Sequence, residues 1–368
     1  MYGKILLFIV LVSLLSIASE GCKKNDPGAG QNIGPAWVTF TIANSPLYGN
    51  NIRAIFVDGG NYVWFATNNG ASYFLKGNWG GLRDSLSSNN GGQVGYTING
   101  ITQSKDGSIW FALQGGGIVR YLRNGTQFQY KRYIAPEIPS NTPNCIAGMI
   151  SNASLGQVFA GYHSYTIGVG KYTPSQVVAG DGQWNELDAG TSPLPSNYVW
   201  TANLNLHDNT VWFGTYDQGA AQYDGANTWR QIQLPDIYSF PILSIAFDNF
   251  GQLWLAKNDS GVSVLNYNTG VPIHHYTYLN TRHIMPQGPV NAIAINNFNN
   301  NDRFFGTKNG GLIELNDTTW TTYTTANTPA LPSNNITALA YDTYGNLWIG
   351  TSDGGVAVYN PAGTRFGN

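Results

Sequence analysis

The chain of 368 residues carries 18 Lys+Arg and 20 Asp+Glu, which gives a formal net charge of -2 at pH 7. A charge this small excludes a strong electrostatic partner and argues against nucleic-acid binding. Charged residues make up only 10% of the chain, whereas Gly (45), Tyr (22) and Trp (11) are abundant, so the composition favours strands and tight turns over helices.

Residues 1–21 have the features of an export signal. Lys4 precedes an apolar run over residues 5–17, which is shorter than the about 20 residues that span a bilayer. Gly21 directly before Cys22 resembles the lipobox of bacterial lipoproteins, particularly of the Bacteroidetes type, and this implies lipidation of Cys22. Ordinary cleavage after Ala18 is the alternative. We predict an exported protein, anchored to the outer membrane on its periplasmic or cell-surface side, or otherwise secreted.

Residues 22–35 are rich in Gly, Asn and Pro and are predicted to form a flexible tether. The other cysteine is Cys145, so lipidation of Cys22 leaves no pair for an intramolecular disulfide. We interpret Cys145 as a small, partly buried residue at the start of a strand.

A short aromatic phrase recurs seven times after the tether. Its clearest copy is LWIGT over Leu347–Thr351, and VWFAT over Val63–Thr67 is another. The second position of each copy falls at 64, 110, 158, 212, 254, 304 and 348, with Val158 and Phe304 standing where the other copies have Trp. These intervals are typical of the four-stranded blades of a β-propeller.

Each copy has the same neighbours, which we assign to strands a, b, c and d of one blade, with the aromatic phrase in strand b. The seventh copy has no fourth strand of its own. Trp37–Leu47 supplies it, because this stretch parallels Trp320–Ala330. We therefore predict an all-β fold: a seven-bladed β-propeller of four-stranded antiparallel blades over residues 36–361, with the N-terminal strand closing the last blade and a tail over 362–368.

The repeat is clearest over Asp342–Asn360, where the sequence is DTYGNLWIGTSDGGVAVYN. This pattern resembles the two-component regulator propeller repeat. Members of that family often form the periplasmic sensor portion of hybrid histidine kinases, in which propellers recognise or transmit the presence of glycans. The resemblance extends to the propeller module alone.

In a propeller the b–c and d–a loops share one face, where residues distant in sequence converge, so that face is the expected binding site. Its amides and Tyr rings suit a neutral polyhydroxylated ligand such as an oligosaccharide. The alternative is that Asn, Asp and Gly stand there because hairpin turns require them. The candidate ligand-binding residues are Asn68, Gln114, Tyr162, His163, Trp200, Tyr216, Asp217, Lys257, Asp259, Arg282, Lys308 and Asp353.

The repeated Trp residues of strand b are predicted to pack between blades rather than to contact a ligand. Trp200 is different, because it stands in strand a of blade 4, where other blades have Arg53, Leu243, Asn291 or Thr337. We expect Trp200 to face the central channel.

Two histidines on the predicted loop face, His163 and His283, invite an enzyme hypothesis. A seven-bladed propeller with a face histidine is similar to streptogramin lyases, which use a His acid/base and a magnesium ion. The sequence has no tight His/Glu cluster, no H-E-x-x-H, no G-x-S-x-G and no P-loop. We therefore assign no catalytic residue, metal ligand or cofactor.

These patterns predict a non-catalytic, monomeric cell-envelope binding or sensor-like module that recognises a glycan or another extracellular ligand. Its contact with the membrane is expected only through the N-terminal lipid. The alternatives are a streptogramin-lyase-like or other propeller enzyme that uses the face histidines, and a platform for an envelope protein partner. Fold alone does not choose among them.

Overall fold

The computed structural model describes residues 34–83, 97–124, 127–150, 156–175, 182–232, 234, 241–259, 261–296, 298 and 302–367. Cys22, the predicted signal peptide and nearly all of the predicted tether lie outside these residues. Within the described part of the chain, no helix has the length and apolarity needed to cross a membrane.

The described residues form seven sheets of four antiparallel strands, each ordered a-b-c-d. Strand b is almost entirely buried in every blade, because it lies in the middle of the sheet with a neighbouring blade on each side. The strands are: blade 1, β2 Ile52–Val57, β3 Val63–Thr67, β4 Gly70–Leu75, β5 Asn78–Leu82; blade 2, β6 Ile98–Gln103, β7 Ile109–Leu113, β8 Gly117–Asn124, β9 Gln127–Tyr133; blade 3, β10 Pro143–Gly148, β11 Val158–Tyr162, β12 Val169–Pro174, β13 Gly182–Leu187; blade 4, β14 Val199–Asn205, β15 Thr210–Thr215, β16 Ala220–Tyr223, β17 Trp229–Ile232; blade 5, β18 Ile242–Phe247, β19 Gln252–Lys257, β20 Val262–Asn266, β21 Pro272–Tyr276; blade 6, β22 Val290–Ile295, β23 Asp302–Thr307, β24 Leu312–Asn316, β25 Thr319–Tyr323; blade 7, β26 Ile336–Tyr341, β27 Leu347–Thr351, β28 Val356–Tyr359 and β1 Trp37–Phe40.

The blades close into a ring. Each strand a contacts strand a of the next blade, and β26 of blade 7 contacts β2 of blade 1. The N-terminal strand β1 pairs antiparallel with β28, with Trp37 opposite Tyr359 and Phe40 opposite Val356. The predicted seven-bladed propeller and its closure by the first strand are therefore confirmed.

The a–b turns explain why the repeat contains both Asp and Trp. In blade 7, Asp342 Oδ2 accepts a hydrogen bond from the buried indole N–H of Trp348 at 2.8 Å, and its Oδ1 accepts from two backbone N–H groups of the turn. The carboxylate thus fixes the turn and satisfies a donor that would otherwise be buried without a partner. The same indole bond joins Trp64 to Asp58 and Trp254 to Asp248.

Blade 3 departs from the register expected from its sequence by one residue. In its pairing with strand a, Tyr162 of blade 3 occupies the position that Thr67 occupies in blade 1. Phe159, and not Val158, therefore stands at the repeated Trp position. The sequence match aligned Ala160 with the small residue of the repeat, but the structure uses Gly161 there. A Cβ on Gly161 would come within 2.6 Å of Val199 in blade 4, so only glycine fits against the neighbouring blade.

Candidate functional site

One end of the propeller is formed by the b–c and d–a loops, and we call it the loop face. The opposite end, formed by the a–b turns and the c–d connections, is the turn face. Strand a of every blade lines a central cavity of about 870 Å³. Its volume lies in the range of small-molecule sites.

A β-bulge in each strand a directs one extra residue toward this cavity close to the loop face. The bulge has the same register in all seven blades. It is one residue of strand a, and the residues on either side of it pair with the last two residues of strand b. The seven bulge residues, in blade order, are Arg53, Asn99, Asn144, Trp200, Leu243, Asn291 and Thr337.

Four bulge residues link their blade to the next one. Asn99 Nδ2 donates to Pro143 O at 2.8 Å, and Asn144 Nδ2 donates to Trp200 O at 2.7 Å. Asn291 and Thr337 bond in the same manner to carbonyls of the following strand a. These side chains therefore connect the innermost strands of adjacent blades.

Arg53, Trp200 and Leu243 occupy the same position without forming such a link to the described part of the chain. Blade 4 is joined to blade 5 further along the strand, where Asn203 Nδ2 donates to Ile245 O at 2.8 Å. The Trp200 side chain is therefore not needed for that link and lies half-buried at the loop-face end of the cavity.

Trp200 belongs to a group of five rings contributed by blades 3 and 4, which we call the aromatic cluster. It comprises His163, Tyr165, Tyr198, Trp200 and Tyr216. The His163 ring lies edge-on to Trp200 and to Tyr198, with centroids 4.4 Å and 3.9 Å away. Tyr198 contacts Tyr165 at 4.8 Å and Tyr216 at 5.0 Å.

The cluster is open to solvent. Tyr165 is 84% exposed and Tyr216 is 45% exposed, so both rings are accessible to a ligand. The backbone holds the rings in place, because His163 forms an isolated β-bridge with Tyr198 and Tyr216 N donates to Tyr198 O at 2.9 Å.

The environment of His163 affects its protonation state. Partial burial lowers the pKa of its imidazole, so the ring is neutral at and above neutral pH. Among the described residues, no carboxylate forms an ion pair or hydrogen bond with His163. That same part of the chain contains no group of three or more His, Cys, Asp or Glu side chains placed to hold a metal ion.

The structure places the candidate residues predicted from the sequence in different environments. His163, Trp200 and Tyr216 come together in the aromatic cluster. Lys308 lines the cavity at the loop face. The b–c loops also carry five exposed candidates outside the aromatic cluster: Asn68, Gln114, Asp217, Asp259 and Asp353.

Tyr162 and Lys257 are buried at the ends of strand b. Tyr162 is 1% exposed and packs in the core between blades 2 and 3, where burial raises the pKa of its phenol. Lys257 is 0% exposed, and burial lowers the pKa of its amine to about 7. Neither side chain is presented on the loop face.

Arg282 and His283 lie in the d–a loop between blades 5 and 6, both with left-handed backbone (φ 54° and 71°). The His283 ring stacks on Tyr278 with centroids 4.3 Å apart. His163 and His283 have no contact with each other among the described residues, so the structure does not bring the two candidate catalytic histidines together. Cys145 is a free thiol whose pKa burial raises to about 12, consistent with a structural residue.

Tyr165, Tyr198 and Arg53 were not candidates in the sequence analysis. Tyr198 stands in a d–a loop, 35 positions from His163 in the chain, so its ring contact is visible only once blades 3 and 4 are folded side by side. Arg53 carried a signal, because it breaks the pattern of small polar residues at the bulge.

The fold and the loop face define a seven-bladed β-propeller with an open central cavity and an aromatic rim. The sequence model of the two component regulator propeller family matches residues 330–353, which include strands a and b of blade 7. The predicted resemblance to that repeat is thus confirmed at this repeat. A comparison with curated proteins gives no match.

Solved structures share the fold at low sequence identity. The extracellular domain of BT3049, a proposed hybrid two component system of B. thetaiotaomicron, is 19% identical with a TM-score of 0.66, and the match covers 89% of this chain and 42% of that one. Streptogramin B lyase is 18% identical with a TM-score of 0.65, covering 88% and 97%. PorZ, a surface component of the type-IX secretion system of Porphyromonas gingivalis, is 16% identical with a TM-score of 0.64, covering 88% and 47%.

The chain therefore spans less than half the length of the BT3049 domain and of PorZ, but nearly all of the lyase. At these identities the likeness establishes the propeller fold, which hosts many functions.

Proposed function

We propose that this protein is an exported, non-catalytic binding module that recognises a glycan at its loop face. The observation that carries the proposal is the aromatic cluster, in which solvent-exposed Tyr rings and the half-buried Trp200 stand at the mouth of the central cavity.

Exposed aromatic rings offer flat apolar surfaces against which the C–H faces of a sugar ring pack. The hydroxyls of Tyr165 and Tyr216 and the indole N–H of Trp200 lie beside those surfaces and can bond to sugar hydroxyls. Trp200 Nε1 has no hydrogen-bond partner among the described residues, so its donor is available to a ligand. A sugar needs this pairing of apolar faces with polar edges.

The first described residues lie at the turn face, away from the proposed site. Gly34 N donates to Thr364 O at 2.8 Å, and the next residue of the tail, Arg365, bonds to Asn346 in an a–b turn. Residue 34 therefore leaves from the turn face. If Cys22 carries a lipid, the anchor would join the propeller at the turn face, which leaves the loop face free for a ligand.

Export is supported by the signal-like sequence and by the extracellular origin of the BT3049 domain. That domain belongs to a proposed hybrid two component system, and a sensing role for the present chain is one form that glycan recognition would take.

The test is calorimetric titration of the purified protein with neutral and acidic oligosaccharides, followed by mass spectrometry of each mixture. We expect binding without cleavage. Trp200→Ala and Tyr216→Ala should each weaken it by about tenfold, because a buried ring contact is worth on the order of 1 kcal/mol or more. Tyr130→Ala is the matched control, since Tyr130 is an exposed tyrosine on strand d of blade 2.

Cleavage products that disappear in a His163→Ala, His283→Ala variant would favour the enzyme alternative instead. If no saccharide binds and an envelope protein does, the surface is a protein-interaction platform and the proposal is wrong.

A further inference from the structure

Two cationic side chains line the central cavity at its loop-face end. Arg53 is the bulge residue of blade 1, and Lys308 follows strand b of blade 6. Neither side chain forms an ion pair or hydrogen bond with any residue that the structure describes. Both side chains are exposed to solvent, so their charges are accessible to a ligand that enters the cavity.

Carboxylates do not offset these two charges. Asp58 is the acidic residue that lines the cavity within the described part of the chain, but it lies in an a–b turn at the opposite end. Its oxygens are occupied by the Trp64 indole and by two backbone N–H groups. Asp353, in the b–c loop of blade 7, accepts a hydrogen bond from Ser352 at 3.2 Å and is not part of the lining.

The cations are accompanied by an acceptor. Asn99, next to Arg53 in the ring of bulge residues, uses its Nδ2 for the link to blade 3, while its buried Oδ1 has no partner among the described residues. An unpaired buried carbonyl favours a ligand that also brings hydroxyl donors. A bare inorganic anion would leave this oxygen unsatisfied.

The two cations and the aromatic cluster lie on opposite sides of the cavity. Blades 1 and 6 flank blade 7, so Arg53 and Lys308 stand on one side of the cavity, and Trp200 of blade 4 stands across it. A ligand that spans the cavity would meet aromatic rings at one end and positive charge at the other.

From this arrangement we infer that the ligand is an acidic saccharide, whose carboxylate or sulfate group pairs with Arg53 and Lys308 while a sugar ring packs on the aromatic cluster. The inference rests on the proposed glycan-binding function and specifies its ligand class. Arg suits both groups, because its planar fork can bond two oxygens at once.

The experiment compares four probes by calorimetry: a neutral cello-oligosaccharide, an oligogalacturonate, a chondroitin sulfate oligosaccharide and inorganic sulfate. The uronate and the sulfated arm separate the two sources of negative charge. We expect an acidic saccharide to bind at least about tenfold more tightly than the neutral one, with affinity falling as NaCl is raised from 50 to 300 mM, on the scale expected of charge-assisted bonds.

Arg53→Gln should remove that preference, Lys308→Gln should reduce it, and Arg53→Lys should retain part of it. Arg282→Gln is the matched control, since Arg282 is an exposed cation of a d–a loop that does not line the cavity. Thermal unfolding of each variant checks that the fold is intact.

Equal affinity for neutral and acidic saccharides, unchanged by Arg53→Gln, would overturn this inference and leave glycan binding standing. Inorganic sulfate binding as tightly as the acidic saccharides would overturn it in favour of a simple anion site. Failure of every saccharide to bind would overturn both this inference and the proposed function.

Discussion

The two ends of the propeller use the same repeat in opposite ways. At the turn face, the polar residues of the repeat are consumed by the fold: the Asp342 carboxylate serves the Trp348 indole and two backbone N–H groups. At the loop face, the side-chain N–H groups of Arg53, Trp200 and Lys308 donate no hydrogen bond to any described residue. Residues that follow the repeat hold the blades together, and residues that depart from it at an open surface are the ones to examine for function.

The largest expected effect on stability comes from replacing Trp348, a residue that follows the repeat. Trp348 is 0% exposed and packs on Phe65 and Phe74 of blade 1. Trp348→Ala should lower the free energy of unfolding by about 3–5 kcal/mol, because it leaves a cavity and removes the donor that Asp342 accepts. Chemical denaturation measures it. Trp200→Ala is the control at the functional end and should cost under about 1 kcal/mol; equal losses in the two variants would contradict the distinction.

A second prediction concerns Lys257, a buried residue that departs from the repeat. Lys257 stands where four blades have a Thr whose hydroxyl bonds to the b–c turn. Its folded pKa of about 7 is below the ordinary 10.5 because of burial. The unfolded chain therefore binds more protons between these values, so stability should rise as pH increases from 7 toward 10.5.

Lys257→Met should flatten that rise by on the order of 3 kcal/mol, as measured by urea denaturation at pH 7 and pH 10. Lys308→Met, at an exposed lysine, is the control and should leave the slope unchanged. An identical pH slope in the wild type and Lys257→Met would show that the Lys257 amine keeps an ordinary pKa in the fold.

The smallest expected effect compares linked and unlinked bulge residues. Asn291 Nδ2 donates to Ile336 O at 2.8 Å, so Asn291→Ala should destabilise the protein by about 1 kcal/mol. Arg53→Ala, at the same repeat position without such a link, should change stability by less than about 0.5 kcal/mol. Denaturation midpoints decide between them, and a larger loss for Arg53 would assign it a structural role.

Much of the fold followed from the sequence because each blade repeats a local pattern. The period, the Asp-turn-Trp spacing and the likeness of Trp37–Leu47 to Trp320–Ala330 each constrain neighbouring residues, so seven blades and their closure were predictable. The register of blade 3 was not, since both Gly161 and Ala160 are small enough to match the small residue of the repeat. Only contact with Val199 in the next blade distinguishes them.

The candidate site was predictable only in part for the same reason. His163, Trp200 and Tyr216 were selected from the loops and strand a, but Tyr198 joins them through contacts between blades, which a single repeat does not encode. Lys257 was selected by its place at the end of strand b, where its sequence position does not reveal that its side chain turns into the core. The absence of a described partner for Arg53 becomes visible only when the seven bulge residues are compared in the folded ring.

Hydrogen–deuterium exchange with and without a bound saccharide tests the central claim most directly, because it reports which end of the propeller the ligand protects. We predict slower exchange over residues 162–168 and 197–217, with no change in the a–b turns at 58–62 and 342–346. Protection confined to those turns, or none at a saturating concentration, would contradict the assignment of the loop face as the binding site.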